Sequence, residues 1–314
     1  MFLNELTIKS TASSCTKTTV QSVLGIWFIL HSLLQMSGPE SYFCTMRSGE
    51  RIPTHVLLSG SGVCGGEWSS PIPVWNREIG ERDSIGVCVM GALFTGAELT
   101  NEKIFDLMVD FLAMVKVLGA KIVTIYNANV RYELLEQIMK LYPGFIDMIQ
   151  WENLYGKLHY GGQRVLLNDC LYRNMRRVKY VVFSDLDEVI YPVSSNNWID
   201  MLNILEKKGK YASYTFSNNF IAELAPNTTI NGNNSCPYMN LRKYFVRLRR
   251  LPWPDFKQNT KMKMIVKPEA LSALCIHDIC KPTLRGYTKT YRVPMNVGLM
   301  AHYRVPVPKI VHLW

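Results

Sequence analysis

Acidic residues are scarce in this sequence: 25 Asp and Glu stand against 35 Lys and Arg, so the formal net charge is +10. Such an excess of positive charge favours an anionic partner or substrate, for example a nucleotide diphosphate. The sequence lacks a helix-turn-helix, zinc-finger or RNA-recognition signature, and its basic residues are dense only at 242–250. We therefore predict no nucleic-acid partner.

An apolar run near the amino terminus, 20–36, reaches the lower edge of the roughly 17–25 residues that span a bilayer. Lys9 and Lys17 precede this run, and no basic residue follows it until Arg47. The positive-inside rule then places the amino terminus in the cytosol. We predict a cytoplasmic tail over 1–19 and a type II signal anchor over 20–36. A cleaved signal peptide is the alternative, and both deliver the rest of the chain to the secretory pathway.

Two glycosylation sequons support the same compartment. Asn227 begins Asn-Thr-Thr and Asn233 begins Asn-Asn-Ser, in a loop rich in Pro, Asn and Gly where an acceptor would be exposed. Seven of the eight cysteines would be lumenal, an odd number that leaves at least one free thiol. We expect Cys88, in a predicted strand, and Cys170, in a predicted helix, to be unpaired core thiols.

Apolar strands alternate with amphipathic helices after a lead-in rich in Ser, Gly and Pro, which we predict to be a stem over 37–84. The patterns predict strands at 85–91, 121–126, 145–151 and 180–183, with helices that begin at Thr100 or Asn101, at Arg131 and near Gly162. This alternation is typical of a parallel, doubly wound sheet with right-handed connections. Ligands of such sheets bind outside the carboxyl ends of the strands.

Three carboxylates follow the fourth predicted strand: Asp185, Asp187 and Glu188. Burying an uncompensated carboxylate costs on the order of several kcal/mol, so clustered acids need a cation, a proton or open water. The D-x-D pair, Asp185 and Asp187, could bind a hard divalent ion that bridges to a diphosphate. A solvated turn with capping acids is the structural alternative.

The same stretch also fits the strand and D-x-D-x-V opening of haloacid-dehalogenase-like phosphatases. Asp185 would then accept the phosphoryl group and Asp187 would be the general acid. That motif lies on the first strand of its fold, whereas three βα units precede it here. No later paired-acid motif is present among Asp200, Asp255 and Asp278. Both observations disfavour a phosphatase.

Residues 158–192 resemble glycosyltransferase family 92, whose pattern runs H-x-x-G-Q, N-D-C-L-x-R and K-Y-V-x-F-x-D-L-D-E-x-I-x-P. The matching residues are His159, Gly162, Gln163, Asn168, Asp169, Cys170, Leu171, Arg173, Lys179, Tyr180, Asp185, Leu186, Asp187, Glu188, Ile190 and Pro192. Val189 departs from the pattern, because the family often carries Phe there. The similarity extends from about Val87 to Arg304.

The resemblance implies an α/β catalytic domain over 85–314 with the GT-A fold, a Rossmann-like, mostly parallel sheet flanked by helices. It implies a type II Golgi membrane protein with an N-terminal membrane anchor and a lumenal catalytic domain. The implied reaction transfers a hexose, galactose in characterised members, from a UDP-sugar to a glycan acceptor on a glycoprotein or glycolipid.

The resemblance also implies roles for individual residues. Asp185 and Asp187 would bind manganese or another divalent ion that holds the UDP diphosphate. Gln163, Asp169 and Asp185 would lie near the donor. A surface ion pair with Arg173, four residues on, is the alternative for Asp169.

Two histidines could complete the metal shell, His277 and His302. His277 lies between Cys275 and Cys280, but a structural zinc site needs four ligands and these supply three. We therefore expect a disulfide with a nearby histidine. Either histidine could instead be a structural residue.

An inverting transfer needs a base to deprotonate the acceptor hydroxyl, and the candidates are Asp278, Asp255 and Glu223. Aromatic residues could stack on sugar faces or pack in the core, namely Trp253, Tyr287, Tyr291 and Tyr303. The sequence thus predicts a metal-dependent, inverting hexosyltransferase. A catalytically inactive glycan- or nucleotide-sugar-binding protein of the same fold is the alternative.

Overall fold

The computed structural model describes residues 7–10, 25–29, 41–45, 55–59, 72–73, 84–93, 100–151, 162–223, 248–250, 262–282 and 287–304. The chain divides into two units, Met1–Glu78 and Ile79–Trp314. The predicted boundary between stem and catalytic domain, at 84 and 85, stays a prediction.

The first unit contains short strands: β1 (Thr7–Ser10), β2 (Gly25–Ile29), β3 (Ser41–Thr45), β4 (His55–Ser59) and β5 (Ile72–Pro73). β4 pairs antiparallel with β1 and β5, and β2 pairs antiparallel with β3. β2 lies within the predicted anchor, 20–36, whose other residues lie outside the described ranges. Among the residues that the structure describes, no helix combines the length and apolar character needed to cross a bilayer.

The second unit begins with the predicted alternation of strands and helices. Its elements are β6 (Ile85–Val89), α1 (Asn101–Val117), β7 (Ala120–Asn127), α2 (Tyr132–Leu141), β8 (Ile146–Gln150), α3 (Gln163–Asn174) and β9 (Tyr180–Ser184). The four strands are parallel in the order β8-β7-β6-β9. The predicted parallel arrangement of these strands is confirmed.

Local signals set the ends of the helices. The Thr100 hydroxyl accepts a hydrogen bond from the Lys103 backbone N–H and caps α1. Gly119, with φ of 103°, follows the end of α1 in a backbone conformation that favours glycine. Gly162 immediately precedes α3, which confirms the predicted helix start near this residue, and its φ of 79° favours glycine.

The chain then adds β10 (Glu188–Pro192), α4 (Trp198–Glu206), β11 (Tyr211–Phe216), β12 (Asn218–Glu223), β13 (Leu248–Arg250), β14 (Lys263–Val266), β15 (Leu271–Leu274), β16 (Ile279–Pro282), β17 (Thr288–Arg292) and β18 (Gly298–Arg304). β14, β11 and β17 extend the main sheet beyond β9 to seven strands, and β14 runs antiparallel to both its neighbours. A second sheet has the order β10-β18-β12-β13. The predicted α/β fold with a mostly parallel sheet flanked by helices is confirmed.

Alternating side chains of the central strands enter two separate buried clusters. Val87 and Val89 belong to the cluster that contains Met108 and Phe111 of α1. Cys88 and Met90 belong to the cluster that contains residues of α3. The central strands are therefore buried on both faces, which explains their continuous apolar runs.

The expectation that Cys88 and Cys170 are unpaired is wrong, because they form a disulfide with their Cα atoms 6.1 Å apart. Helix α3 covers the sheet face toward which Cys88 points, and this places Cys170 directly opposite. The predicted disulfide beside His277 is confirmed, since Cys275 pairs with Cys280.

Candidate functional site

The three acids lie in and after the turn that links β9 to β10, at the carboxyl edge of the parallel strands. The turn has a backbone hydrogen bond from the Glu188 N–H to the Asp185 carbonyl, at 3.1 Å. The buried Ser184 hydroxyl donates to the Glu188 carbonyl at 2.7 Å. The Tyr303 N–H donates to the Asp187 carbonyl at 2.8 Å. Hydrogen bonds within 184–188, and one from β18, thus fix the main chain of the acidic segment.

Lys263 lies beside two of these acids, although the sequence analysis did not identify it. Its Nζ is 2.6 Å from Asp185 Oδ2 and 2.8 Å from Glu188 Oε2. β14 runs antiparallel to β9, so its first residue lies at the edge where β9 ends. The side chains of Lys263 and Glu188 are only 3% and 4% exposed, whereas that of Asp185 is 36% exposed.

His302 contacts the other side of the acidic group. β18 pairs antiparallel with β10, and this register places His302 opposite Glu188. Its Nε2 is 3.2 Å from Asp187 Oδ2, and its Nδ1 is 3.2 Å from Glu188 Oε1. Potential ligand atoms of Asp187, Glu188 and His302 lie within 4.8 Å of one another. The three side chains could therefore bind one metal ion.

Burial and neighbouring charges perturb the ionisation of this group. Burial raises the pKa of Glu188 to about 7, although Lys263 opposes the shift and Asp185 adds to it. Burial lowers the pKa of Lys263, but Asp185 and Glu188 together bring it above its ordinary value. The lysine is therefore an ammonium at neutral pH. One ammonium serves a group of three carboxyl groups, and a bound divalent cation would favour the ionised form of all three.

The structure brings together only part of the predicted metal set. Asp187 and His302 lie in one ligand group, and Glu188 joins them, although sequence analysis treated it only as a third acid. Asp185 contacts Lys263 through Oδ2. His277 lies in the Cys275–Cys280 loop, where its Nδ1 is 3.2 Å from the Met262 carbonyl.

The predicted donor-binding residues Gln163 and Asp169 lie on α3. Asp169 Oδ2 accepts hydrogen bonds from Tyr126 OH at 2.6 Å and from Arg173 Nε at 2.5 Å. The alternative ion pair with Arg173 is therefore present. Burial, followed by the charge of Asp169, raises the pKa of Tyr126 well above its ordinary value. Gln163 is the first residue of the helix.

Of the three candidate bases, only Asp278 has a side chain in the described part of the structure. Asp278 is exposed, accepts from the Ile279 N–H at 2.7 Å and pairs with Lys289 at 3.0 Å. Glu223 ends β12, and its side chain lies outside the described part of the structure. Four predicted residues also lie outside the described ranges, namely Asp255, Trp253, Asn227 and Asn233.

The three described aromatic candidates make contacts with protein side chains. Tyr303 OH is 2.7 Å from Tyr191 OH. Tyr291 packs its ring against Tyr211 and Tyr214. The Tyr287 ring lies beneath the Lys267 ammonium.

Proteins with an open α/β sheet bind their ligands outside the carboxyl ends of the strands, and the acidic group of this chain lies there. The model of glycosyltransferase family 92 matches residues 85–314, and the chain belongs to this family. No curated protein matches the chain. Among solved structures, it is similar to 4-diphosphocytidyl-2C-methyl-D-erythritol synthase from Anaerococcus prevotii, with 11% identity and a TM-score of 0.31. That match covers 59% of this chain and 70% of the other.

Proposed function

We propose that this glycosyltransferase is a metal-dependent, inverting enzyme that transfers a hexose, most simply galactose, from a UDP-sugar to a glycan acceptor. Membership of family 92 supports glycosyl transfer. The observation that carries the proposed metal dependence is the group of Asp187, Glu188 and His302 at the carboxyl edge of the sheet. Family membership also displaces the phosphatase alternative, in which Asp185 would be a nucleophile.

Asp187, Glu188 and His302 would hold manganese or another divalent cation. Carboxylate and imidazole side chains provide the oxygen and nitrogen ligands that manganese accepts. The bound cation would neutralise charge on the diphosphate of the donor and on the departing nucleotide. The residues fit such an ion because three carboxylates converge there against one ammonium.

Asp185, Gln163 and Asp169 are the proposed contacts to the donor. Asp185 is partly exposed while Lys263 contacts its Oδ2, so the carboxylate lies at the surface in a fixed orientation. Asp169 is fixed by Tyr126 and Arg173. Asp278, Asp255 and Glu223 remain the proposed bases for the acceptor hydroxyl.

We also propose that residues 20–36 anchor the chain in the Golgi membrane, with 85–314 in the lumen. The Cys88–Cys170 and Cys275–Cys280 disulfides support a secretory compartment, because disulfides persist in oxidising environments. Expression in cells, followed by deglycosylation, tests the lumenal placement of 85–314. A mass shift that disappears in an Asn227→Gln/Asn233→Gln variant is expected, and no shift would contradict it.

The reaction itself is tested by incubating the full chain with a panel of UDP-sugars and glycan acceptors. Released UDP is measured with manganese and with a chelator. We expect manganese-dependent release from one donor, increased by an acceptor. Donor binding without transfer to any acceptor would instead favour the inactive sugar-nucleotide-binding alternative.

A further inference from the structure

We propose that Lys263 is a positioning residue, which holds the Glu188 carboxylate in the orientation that a metal ion at the Asp187, Glu188 and His302 group requires. This inference rests on the proposed function, because it assigns Lys263 to the same metal site. The Lys263 side chain is only 3% exposed, and its ammonium is already paired with two carboxylates, so we do not assign it a direct contact with the donor diphosphate. Its influence on the reaction therefore passes through the carboxylates that it contacts.

The contacts of Glu188 divide between its two oxygens. Oε2 is 2.8 Å from Lys263 Nζ, and Oε1 is 3.2 Å from His302 Nδ1. Oε2 forms an ion pair with the ammonium, and Oε1 faces the imidazole of the proposed metal site. Hydrogen bonds to the Glu188 backbone fix its main chain, but none of them reaches its carboxylate. The ammonium thus selects the carboxylate orientation.

The same ammonium also contacts Asp185, at 2.6 Å from Oδ2. Two carboxylates that share one cation would repel each other if that cation were removed, and the 4% exposed Glu188 has little access to water. Glu188 would then rotate away from Asp185, and its Oε1 would leave the position opposite His302.

Charge alone predicts the opposite effect on metal binding. An ammonium beside a cation site repels the incoming ion, so its removal should strengthen manganese binding if Lys263 contributed only its charge. If Lys263 positions Glu188, its removal should weaken manganese binding despite the added negative charge. The direction of the change therefore separates the two roles.

The experiment titrates manganese alone into four full-length proteins: wild type, Lys263→Met, Glu188→Gln and the double variant. We expect Lys263→Met to weaken manganese binding about tenfold, as loss of an orienting partner typically does. In the Glu188→Gln background, the same lysine substitution should cause no further loss, because its target carboxylate is gone. Lys263→Arg, which keeps a cation, should restore part of the affinity.

Lys267→Met is the matched control. Lys267 follows the other end of β14 and pairs with Glu206 at 2.9 Å, and its truncation should leave manganese affinity unchanged. If Lys263→Met does not fold, Lys263→Arg decides, because it keeps the charge. Weaker manganese binding than in the wild type then supports the proposal, and wild-type affinity contradicts it.

Tighter binding by Lys263→Met, or a further loss in the double variant, would overturn the role of Lys263. Absence of manganese binding by the wild type would overturn the metal site itself. The two failures are therefore distinguishable.

Discussion

A cluster of charged residues lies at each end of the paired strands β9 and β14. The two clusters differ in their ratio of carboxylates to ammonium groups. At the carboxyl edge, Lys263 is shared by Asp185 and Glu188. At the amino edge, Glu206 alone receives Lys179 and Lys267, together with a hydrogen bond from Tyr180 OH. At the carboxyl edge two carboxylates share one ammonium, whereas at the amino edge one carboxylate pairs with two ammonium groups.

The ionisation of the two glutamates reflects this difference. Burial raises the pKa of Glu188 to about 7. Burial also acts to raise the pKa of Glu206, but Lys267, Tyr180 and Lys179 bring it below its ordinary value. A saturated carboxylate stabilises the fold, whereas an excess of carboxylates leaves a place for an additional cation.

Loss of the Asp187 carboxylate should have the largest effect on catalysis. Asp187→Asn should lower the rate of manganese-dependent UDP release about 100-fold or more, because a ligand to the cation is lost. Initial rates measured with saturating donor check this. Asp106→Asn, on the exposed face of α1, should keep the wild-type rate. A wild-type rate in Asp187→Asn would remove the metal site from the reaction.

The disulfide between Cys88 and Cys170 belongs to neither charged cluster. The paired substitutions Cys88→Ser and Cys170→Ser should lower the free energy of unfolding by about 2–5 kcal/mol, since the bond closes a long loop of the unfolded chain. Denaturant unfolding under non-reducing conditions measures the loss. Unchanged stability would contradict a formed disulfide.

Glu206→Gln, at the amino edge, should change stability and leave catalysis intact. It removes the charge that balances Lys179 and Lys267, so we expect a loss of about 1–2 kcal/mol. Glu136→Gln, in an exposed pair with Lys140, should cost less than about 0.5 kcal/mol. Thermal unfolding and UDP release would be measured for both. Reduced UDP release by folded Glu206→Gln would contradict the claim that the Glu206 cluster acts only on stability.

The pH dependence of stability gives the smallest expected effect. The pKa of Glu206 is lower in the folded chain than in the unfolded one, so its contribution is present above its ordinary pKa of 4.5. That contribution is lost as the pH falls from this value through the lowered pKa of the folded chain. The stability difference between wild type and Glu206→Gln should therefore shrink on acidification below 4.5, as unfolding at several pH values will show. A stability difference that grows as the pH falls below 4.5 would contradict a lowered pKa of Glu206 in the folded chain.

Local signals account for what the sequence predicted well. The alternation of strands and helices, the Thr100 cap and the position of Asp185 and Asp187 after a buried strand all depend on neighbouring residues. The placement of Lys263 depends instead on β14 pairing antiparallel with β9. The contact between Glu188 and His302 depends on β18 pairing with β10. These registers join distant segments, so no local pattern encodes them.

The error over Cys88 and Cys170 has the same physical origin. Each residue type and its local element was recognised, but the disulfide depends on which face of the sheet α3 covers. Polar and apolar residues are not segregated onto opposite faces of α3, so the pattern around Cys170 does not indicate one buried face.

The most direct test is a titration of manganese into the wild-type chain and into His302→Ala and Glu206→Gln. The excess of carboxylates at the carboxyl edge predicts one manganese ion per wild-type chain. Binding should be lost in His302→Ala and retained in Glu206→Gln. Absence of binding by the wild type, or equal binding by His302→Ala, would contradict a cation site at Asp187, Glu188 and His302.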